Sequence, residues 1–409
     1  MRIFQVMVAG MTGCVLAVTS LAESRTVLRS AVLRSGPGAY YEALVEVPAG
    51  TPVDAQPPKH PVWVEVQALQ RQGWLPEKAF EPAGKGVEFA ALLKGGAGMA
   101  VSAADMAAAT KGMVGTTYRD RPTVQVAVAE QLASLRIDAP MVQTIEGSLS
   151  GGAAGARMRV PAAPEAGLVM LRPDAELELG QALAVRVAEQ GLVADEKAVR
   201  YVNAVAAVVG ARTERYDLPY RVGILKASGV NGFGLPGGYV LISEQLLALA
   251  QDEAELACLI GHEMAHISRF HGMREFNKRS THRQSDSVFD ELDATDDTPA
   301  SDHEADLNRL VDTAYLTIIG KRARVDEIEA DLYGVRYAAA AGYDPGAMVR
   351  VLRRIADAQQ GESDDAFRHH PSLDERMAAI EQFVRQSGTE AGGQTFAGRF
   401  REQLADRAR

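Results

Sequence analysis

Cysteine is scarce in this sequence, which has two in 409 residues, Cys14 and Cys258. Because Cys14 lies in an N-terminal apolar run, removal of that run would leave Cys258 alone, and no disulfide could form within the chain. We expect Cys258 to be a small buried core residue. Clusters of basic residues are lacking too, and the net charge is −10. This charge, without any interleaving of aromatic and basic residues, argues against nucleic-acid binding.

Long apolar runs are absent after the first 22 residues. The N-terminal run extends from Ile3 to Leu21 behind Arg2 and ends in small residues typical of a cleavage site. Residues 1–22 are therefore predicted to be a signal peptide, and the mature chain is predicted to be periplasmic or secreted without an integral membrane span. Retention of the run as an anchor and lipid attachment at Cys14 are the alternatives.

A His-Glu-x-x-His motif is the most informative stretch that is present, with His262 and His266 four residues apart and Glu263 between them. Positions i and i+4 share one face of a helix, so both rings can reach one ion. Glu263 can then serve as general base on a water bound to that ion. Asp252 as a cap and apolar residues at helical spacing predict such a helix, ending near Gly272. The structural alternative makes both histidines surface or satisfied core residues.

A hydrolytic zinc site needs a third protein ligand and one open position. Glu327 is the better candidate, because it opens a second predicted helix and shares a face with Asp331, which can accept a hydrogen bond from a ligating histidine. Glu329 is predicted to point away into solvent. His271 is interpreted as a helix C-terminal histidine that projects away from the other two rings, with direct metal binding as the lesser alternative.

Several motifs occur in a fixed order between Leu171 and Val384. They are Asn231–Val240 (NGFGLPGGYV), Asp252–Ala257 (DEAELA), His262–His266 (HEMAH), Glu327–Asp331 (EIEAD), Gly342–Pro345 (GYDP), and His370–Ser372 (HPS) with Glu375 and Arg376. In this order they resemble the HtpX/BepA-like zinc metallopeptidases, the gluzincin family that includes the type I CAAX prenyl protease. The resemblance implies one Zn²⁺ per chain held by His262, His266 and Glu327.

The resemblance also implies two roles around the metal. Asn231, Phe233, Gly234 and Pro236 match the segment that lies over the active site in this family, and a sheet edge there can pair with an extended peptide. An ordinary turn between strands 222–226 and 239–242 is the alternative. His370 or His369 can occupy the open zinc position or serve as an oxyanion group. The alternative is that His370-Pro371 only precedes a helix capped at Ser372.

The fold class is predicted as α+β, with a mainly helical zincin-type metallopeptidase domain and a small sheet at 169–386. Short alternating runs between Gly/Pro turns predict an SH3-like β-barrel at 26–82. Its Trp63 and Trp74, with Tyr40 or Tyr41, either line a groove for a peptide or cell-wall ligand or pack in the core. Residues 83–168 form an Ala/Gly-rich linker or accessory region, 280–310 an acidic loop that can act as a lid, and 387–409 a polar tail with one short amphipathic helix.

These features predict a zinc-dependent endopeptidase that hydrolyses extended or misfolded envelope polypeptides. Two alternatives of other classes remain open at this point. One is a non-hydrolytic chaperone or envelope-binding protein with a structural zinc, which the presence of Glu263 disfavours because such a site needs no base. The other is a cell-wall-binding adaptor that works through residues 26–82 and shows no metal dependence.

Overall fold

The structure is a computed structural model of the chain, and it describes part of the 409 residues. The described residues are 23–82, 86–87, 122–149, 170–171, 173–188, 190–227, 229–272, 274, 315, 324–358, 372–389 and 392–404. The predicted signal peptide, the acidic loop 280–310, His369 and His370 lie outside these ranges, so their predicted roles stay predictions. The chain folds into two compact units.

The first unit covers residues 23–37 and 42–82 of the described chain and consists of one antiparallel sheet. Its strands are β1 (Glu23–Thr26), β2 (Ala31–Arg34), β3 (Ala43–Val47), β4 (Pro52–Ala55), β5 (Trp63–Ala68) and β6 (Arg71–Pro76). The order is β1-β4-β5-β6-β2-β3, so β1 and β3 are edges. The β-rich unit is consistent with an SH3-like module, but its sheet is open and the prediction of a closed barrel is wrong among these residues.

Side chains along the strands of this unit alternate between the core and the surface. Leu33, Val66 and Leu75 are fully buried, as inward-facing positions of a half-buried sheet should be. Trp63 is buried as well, whereas Trp74 is half-buried. Trp63 therefore belongs to the core, and of the two tryptophans only Trp74 offers surface to a ligand.

The second unit is mainly helical and contains two small sheets. The strands are β7 (Gly86–Val87), β8 (Met170–Leu171), β9 (Arg221–Leu225), β10 (Gly232–Leu235) and β11 (Tyr239–Ser243). The helices are α1 (Pro122–Ser134), α2 (Ala139–Ser148), α3 (Pro173–Val187), α4 (Glu196–Gly210), α5 (Glu244–Leu249), α6 (Glu253–Ser268), α7 (Arg324–Ala341), α8 (Ala347–Ala358), α9 (Leu373–Ser387) and α10 (Ala397–Leu404). This arrangement confirms the α+β prediction. None of the described helices qualifies as a membrane-crossing segment.

The three-stranded sheet has the order β10-β11-β9, with β9 parallel and β10 antiparallel to β11. Strands β9 and β11 confirm the two strands predicted from the apolar runs. The stretch between them is more than a turn, because residues 232–235 form β10, an edge strand that pairs with β11 from Gly232 opposite Ile242 to Leu235 opposite Tyr239. The sheet thus presents the edge of β10 beside the helix that carries the His-Glu-x-x-His motif.

Helix α6 is the centre of the unit, and all 16 of its residues are buried. Asp252 caps it by accepting a hydrogen bond of 2.8 Å from the backbone N–H of Glu255, which confirms the predicted cap. The Glu253 carboxylate has no exposed surface and accepts hydrogen bonds from the hydroxyls of Tyr201 and Tyr343. A charged group buried in this way needs a counter-ion.

The counter-ion of Glu253 comes from the C-terminal segment 392–404. Arg399 on α10 donates from Nε to the Glu253 carboxylate over 2.6 Å. The carbonyl of Thr395 accepts a hydrogen bond of 2.9 Å from the backbone N–H of Glu253, at the N-terminus of α6. This segment was expected to be a polar tail with a short helix; the helix is present, and it helps to hold the start of α6.

Candidate active site

Helices α6 and α7 cross at two glycines, and this crossing brings the motif residues together. A Cβ on Gly261 would lie 2.9 Å from the carbonyl oxygen of Gly334, and one on Gly334 would lie 2.7 Å from the backbone nitrogen of His262. No side chain fits at either position without moving a backbone. The two helices can therefore approach closely enough for Glu327 on α7 to face both histidines on α6.

Three donor groups converge at the crossing. His262 Nε2 lies 3.2 Å from His266 Nε2 and 3.7 Å from Glu327 Oε2, and His266 Nε2 lies 3.5 Å from the other oxygen, Oε1. A tetrahedral ion with bonds of about 2.0–2.1 Å separates its ligands by about 3.3 Å. The three side chains are buried, and their donor atoms lie within 4.8 Å of one another. The spacing and chemistry of this set fit a zinc ion.

Behind His262 stands a buried carboxylate with its own cation. His262 donates from Nδ1 to Asp331 over 2.9 Å, and Arg376 on α9 donates from Nε and Nη2 to the two Asp331 oxygens, each over 2.7 Å. Burial by itself would raise the pKa of Asp331, but Arg376 and His262 hold it at about 2. The pKa of His262 falls on burial, yet the hydrogen bond to Asp331 and the nearby carboxylates raise it overall. Asp331 therefore stays ionised and directs the Nε2 lone pair of His262 towards the other donors.

Behind His266 stands His271. The two Nδ1 atoms are 2.8 Å apart, so His271 lies on the edge of His266 that faces away from Glu327. Burial lowers the pKa of His271. The prediction that its ring projects away from the other two is wrong, because it contacts His266, although it is not part of the three-donor set.

The predicted solvent position of Glu329 is also wrong. Its side chain is 11% exposed and pairs with Arg269 over 3.0 Å and Arg274 over 3.2 Å, while His271 Nε2 lies 3.4 Å from it. Burial would raise the pKa of Glu329, but His271 and these two cations bring it to about 2. Glu329 is therefore an ionised group that lies next to His271, behind His266.

Strand β10 packs directly on the motif. A Cβ on Gly234 would lie 2.1 Å from the carbonyl oxygen of Glu263, and one on Gly232 would lie 2.4 Å from Glu263 Oε1. The Glu263 carboxylate is buried between β10 and His262, with Oε1 4.0 Å from His262 Nε2. Glycine is needed at position 234 because a Cβ there would push the strand off α6, whereas a Cβ at position 232 would displace the Glu263 side chain.

The other members of the predicted edge segment differ in exposure. Asn231 is exposed and Phe233 is half-buried, whereas Gly234 and Pro236 are buried. The Pro236 carbonyl carbon and oxygen lie against α3, where a Cβ on Gly180 would be 1.8 Å from the oxygen. Pro236 therefore fixes the end of β10 and does not offer a free edge.

Two short helical motifs that bring three donor groups together, a carboxylate beside them and an adjacent edge strand fit the class of a gluzincin-type metallopeptidase. Residues 194–384 match Peptidase family M48, so this region is similar to the peptidases of that family. The recognition of an HtpX/BepA-like metallopeptidase and the assignment to the metalloendopeptidases are thereby confirmed.

Three curated relatives share this region. The chain is 24% identical over 61% of its length to the beta-barrel assembly-enhancing protease of Yersinia pestis, of which it covers 52%. It is 23% identical over 46% of its length to the beta-barrel assembly-enhancing protease of Escherichia coli K12 (39% covered). It is 26% identical over 46% of its length to the mitochondrial metalloendopeptidase OMA1 of Schizosaccharomyces pombe (53% covered). The chain thus spans about half or less of the length of these relatives.

Proposed function

We propose that this chain is a zinc-dependent endopeptidase in which His262, His266 and Glu327 bind one zinc ion and Glu263 is the general base. The observation that carries this proposal is the buried set of three donor groups, whose facing nitrogen and oxygen atoms lie 3.2–3.7 Å apart. Two imidazoles whose Nε2 atoms carry no proton and a carboxylate held this close repel one another through their lone pairs, and a bound cation removes that repulsion.

Bound zinc would polarise a peptide carbonyl and make a nearby water more acidic. Glu263 would accept the proton of the attacking water and pass it to the leaving amine. The ionised Asp331 keeps His262 in the tautomer whose Nε2 is free to bind. Glu263 would have no such use in a structural zinc site, which favours the peptidase over the chaperone alternative.

The edge of β10 is the proposed binding place of the substrate. Main-chain hydrogen bonds to an edge strand hold an extended peptide without demanding a particular side-chain sequence. Asn231 and Phe233 are the members of this segment with exposed surface. We further propose that His369 or His370 is a fourth ligand or oxyanion group, and that Trp74 contributes to a peptide or cell-wall site on the SH3-like unit.

The proposed substrates are extended or misfolded envelope polypeptides, and the proposed location is the periplasm or outside the cell. The signal-like residues 1–22 and the relatives named as beta-barrel assembly-enhancing proteases support this proposal.

Casein cleavage by purified protein tests the activity. We expect cleavage that a chelator abolishes, and its loss in Glu263→Gln with the zinc content unchanged. The control is Glu196→Gln, since Glu196 is exposed in the first turn of α4 and its variant should cleave like wild type. Full cleavage by Glu263→Gln would refute the assigned base, and cleavage that survives metal removal would refute the metallopeptidase.

A further inference from the structure

The contact between His266 and His271 has no part in the proposed hydrolysis, and sequence spacing does not account for it. Five residues along a continuous helix turn a side chain about 140° away from its predecessor. Here α6 ends at Ser268, and Phe270 has a left-handed φ of 57°. This conformation is costly for a residue other than glycine and is often found at functional sites. It redirects the chain so that the His271 ring reaches the far edge of His266.

Binding of zinc by His266 decides which ring nitrogens of His266 and His271 carry a proton. If His266 binds through Nε2, its neutral ring carries the proton on Nδ1 and needs an acceptor there. The atom in reach is His271 Nδ1, at 2.8 Å. His271 accepts only when its own proton is on Nε2. That atom is buried, makes no hydrogen bond among the described residues and lies 3.4 Å from Glu329 Oε2, which is its charged neighbour.

We infer that His271, backed by Glu329, is a positioning residue that fixes the tautomer and ring orientation of His266, as Asp331 backed by Arg376 does for His262. The inference rests on the proposed zinc site. Each metal-binding ring then has a hydrogen-bond acceptor on its outer edge. That acceptor is an ionised carboxylate for His262, and for His266 it is a histidine that lies beside an ionised carboxylate. Arginines anchor both carboxylates, Arg376 on one side and Arg269 with Arg274 on the other.

The same cluster of His271, Asp326 and Glu329 has the composition of a second metal site. The charges oppose that reading. Arg274 Nη2 lies 3.1 Å from Asp326 Oδ1 and 3.2 Å from Glu329 Oε2, so one guanidinium already bridges the two carboxylates. A metal ion bound through His271 Nε2 and these carboxylates would have to displace that guanidinium. The acceptor role leaves the contacts of Arg274 with Asp326 and Glu329 in place.

A matched pair of variants tests the inference, because Asn and Leu are nearly equal in size and branch at the same atom. His271→Asn places an amide oxygen near the Nδ1 position and can accept from His266, whereas His271→Leu cannot. Zinc affinity, measured by competition with a chromogenic chelator, should fall roughly 10- to 100-fold in His271→Leu, as is typical when such a partner is lost. His271→Asn should recover most of that loss. Equal zinc affinity in both variants, whether at the wild-type value or equally weakened, would overturn the inference.

A second readout needs no substitution. In the zinc-loaded wild-type protein with ¹⁵N-labelled histidine, long-range ¹H–¹⁵N spectra should show the proton of His266 on Nδ1 and that of His271 on Nε2. A protonated Nδ1 on His271 would overturn the inference, as would two zinc ions per chain. The zinc content of His266→Ala distinguishes a failure of the proposed zinc site from a failure of the positioning role of His271. If that variant keeps its metal, the proposed zinc site itself fails; if it loses the metal while the His271 results disagree, only the positioning role fails.

Discussion

Adding one methyl group where α6 and α7 cross tests how the site is assembled. In Gly334→Ala the new Cβ would lie 2.7 Å from the backbone nitrogen of His262 and 3.0 Å from the carbonyl carbon of Gly261. Both neighbours are backbone atoms inside a buried helix, so they cannot rotate away as a flexible side chain would. The helices must separate by several tenths of an ångström, and Glu327 moves with α7.

The magnitude follows from two opposing effects. Overpacking of a core costs about 1–3 kcal/mol, and alanine returns about 1 kcal/mol of helix propensity relative to glycine. A net loss of up to about 2 kcal/mol should lower Tm by a few degrees. Zinc affinity should fall as well, because Glu327 is displaced from the two histidines. Thermal unfolding with and without chelator, together with a zinc competition assay, measures both effects.

Gly147→Ala is the matched control. Gly147 is also in a helix, α2, but a Cβ there would meet no atom within 4 Å. This variant should keep wild-type zinc affinity and should be unchanged or slightly stabilised, since only the helix propensity acts. Wild-type Tm and zinc affinity in Gly334→Ala would refute the close crossing as the device that assembles the site.

Three further predictions concern charge. Arg376→Leu leaves the Asp331 carboxylate buried without its cation, so chemical denaturation should show a loss of about 3–5 kcal/mol, while a change below 1 kcal/mol would contradict the pairing. Arg399→Leu does the same to the buried Glu253 and should lower Tm clearly even in metal-free protein, where zinc loss cannot be the cause; an unchanged Tm would count against the proposed anchoring of α6. The depressed pKa of Asp331, about 2, contributes stability that is present above the unfolded value near 4 and is lost as pH falls towards 2. Zinc should leave at higher pH than that, because protons compete for His262, so a pH series should show metal and activity decreasing together.

Local periodicity predicted which residues of the three-donor set share a helix face, and the resemblance to a known family joined the two helices into one set. His262 and His266 share a helix face, as do Glu327 and Asp331, and both arguments need only the spacing within one helix. The contact of His271 and Glu329 behind His266 was missed because it depends on a break in the helix. Nothing in the letters around Phe270 signals a left-handed residue, and without it His271 points elsewhere.

Contacts between residues far apart in the chain could not be predicted from the sequence either. The pairing of Arg399 with Glu253 joins residues 146 apart, and Glu253 alone is typical of an exposed acidic first turn. In the N-terminal unit the alternating pattern predicted the strands, but barrel closure depends on whether β1 and β3 meet. Alternation within a strand carries no information on that pairing.

The central claim is that His262, His266 and Glu327 converge on one metal ion. Zinc content by elemental analysis of wild-type protein, beside single alanine variants of these residues, tests it most directly. We predict one zinc per chain in the wild type and its loss in each variant. Wild-type protein without a transition metal, or a full zinc complement in Glu327→Ala, would contradict the account.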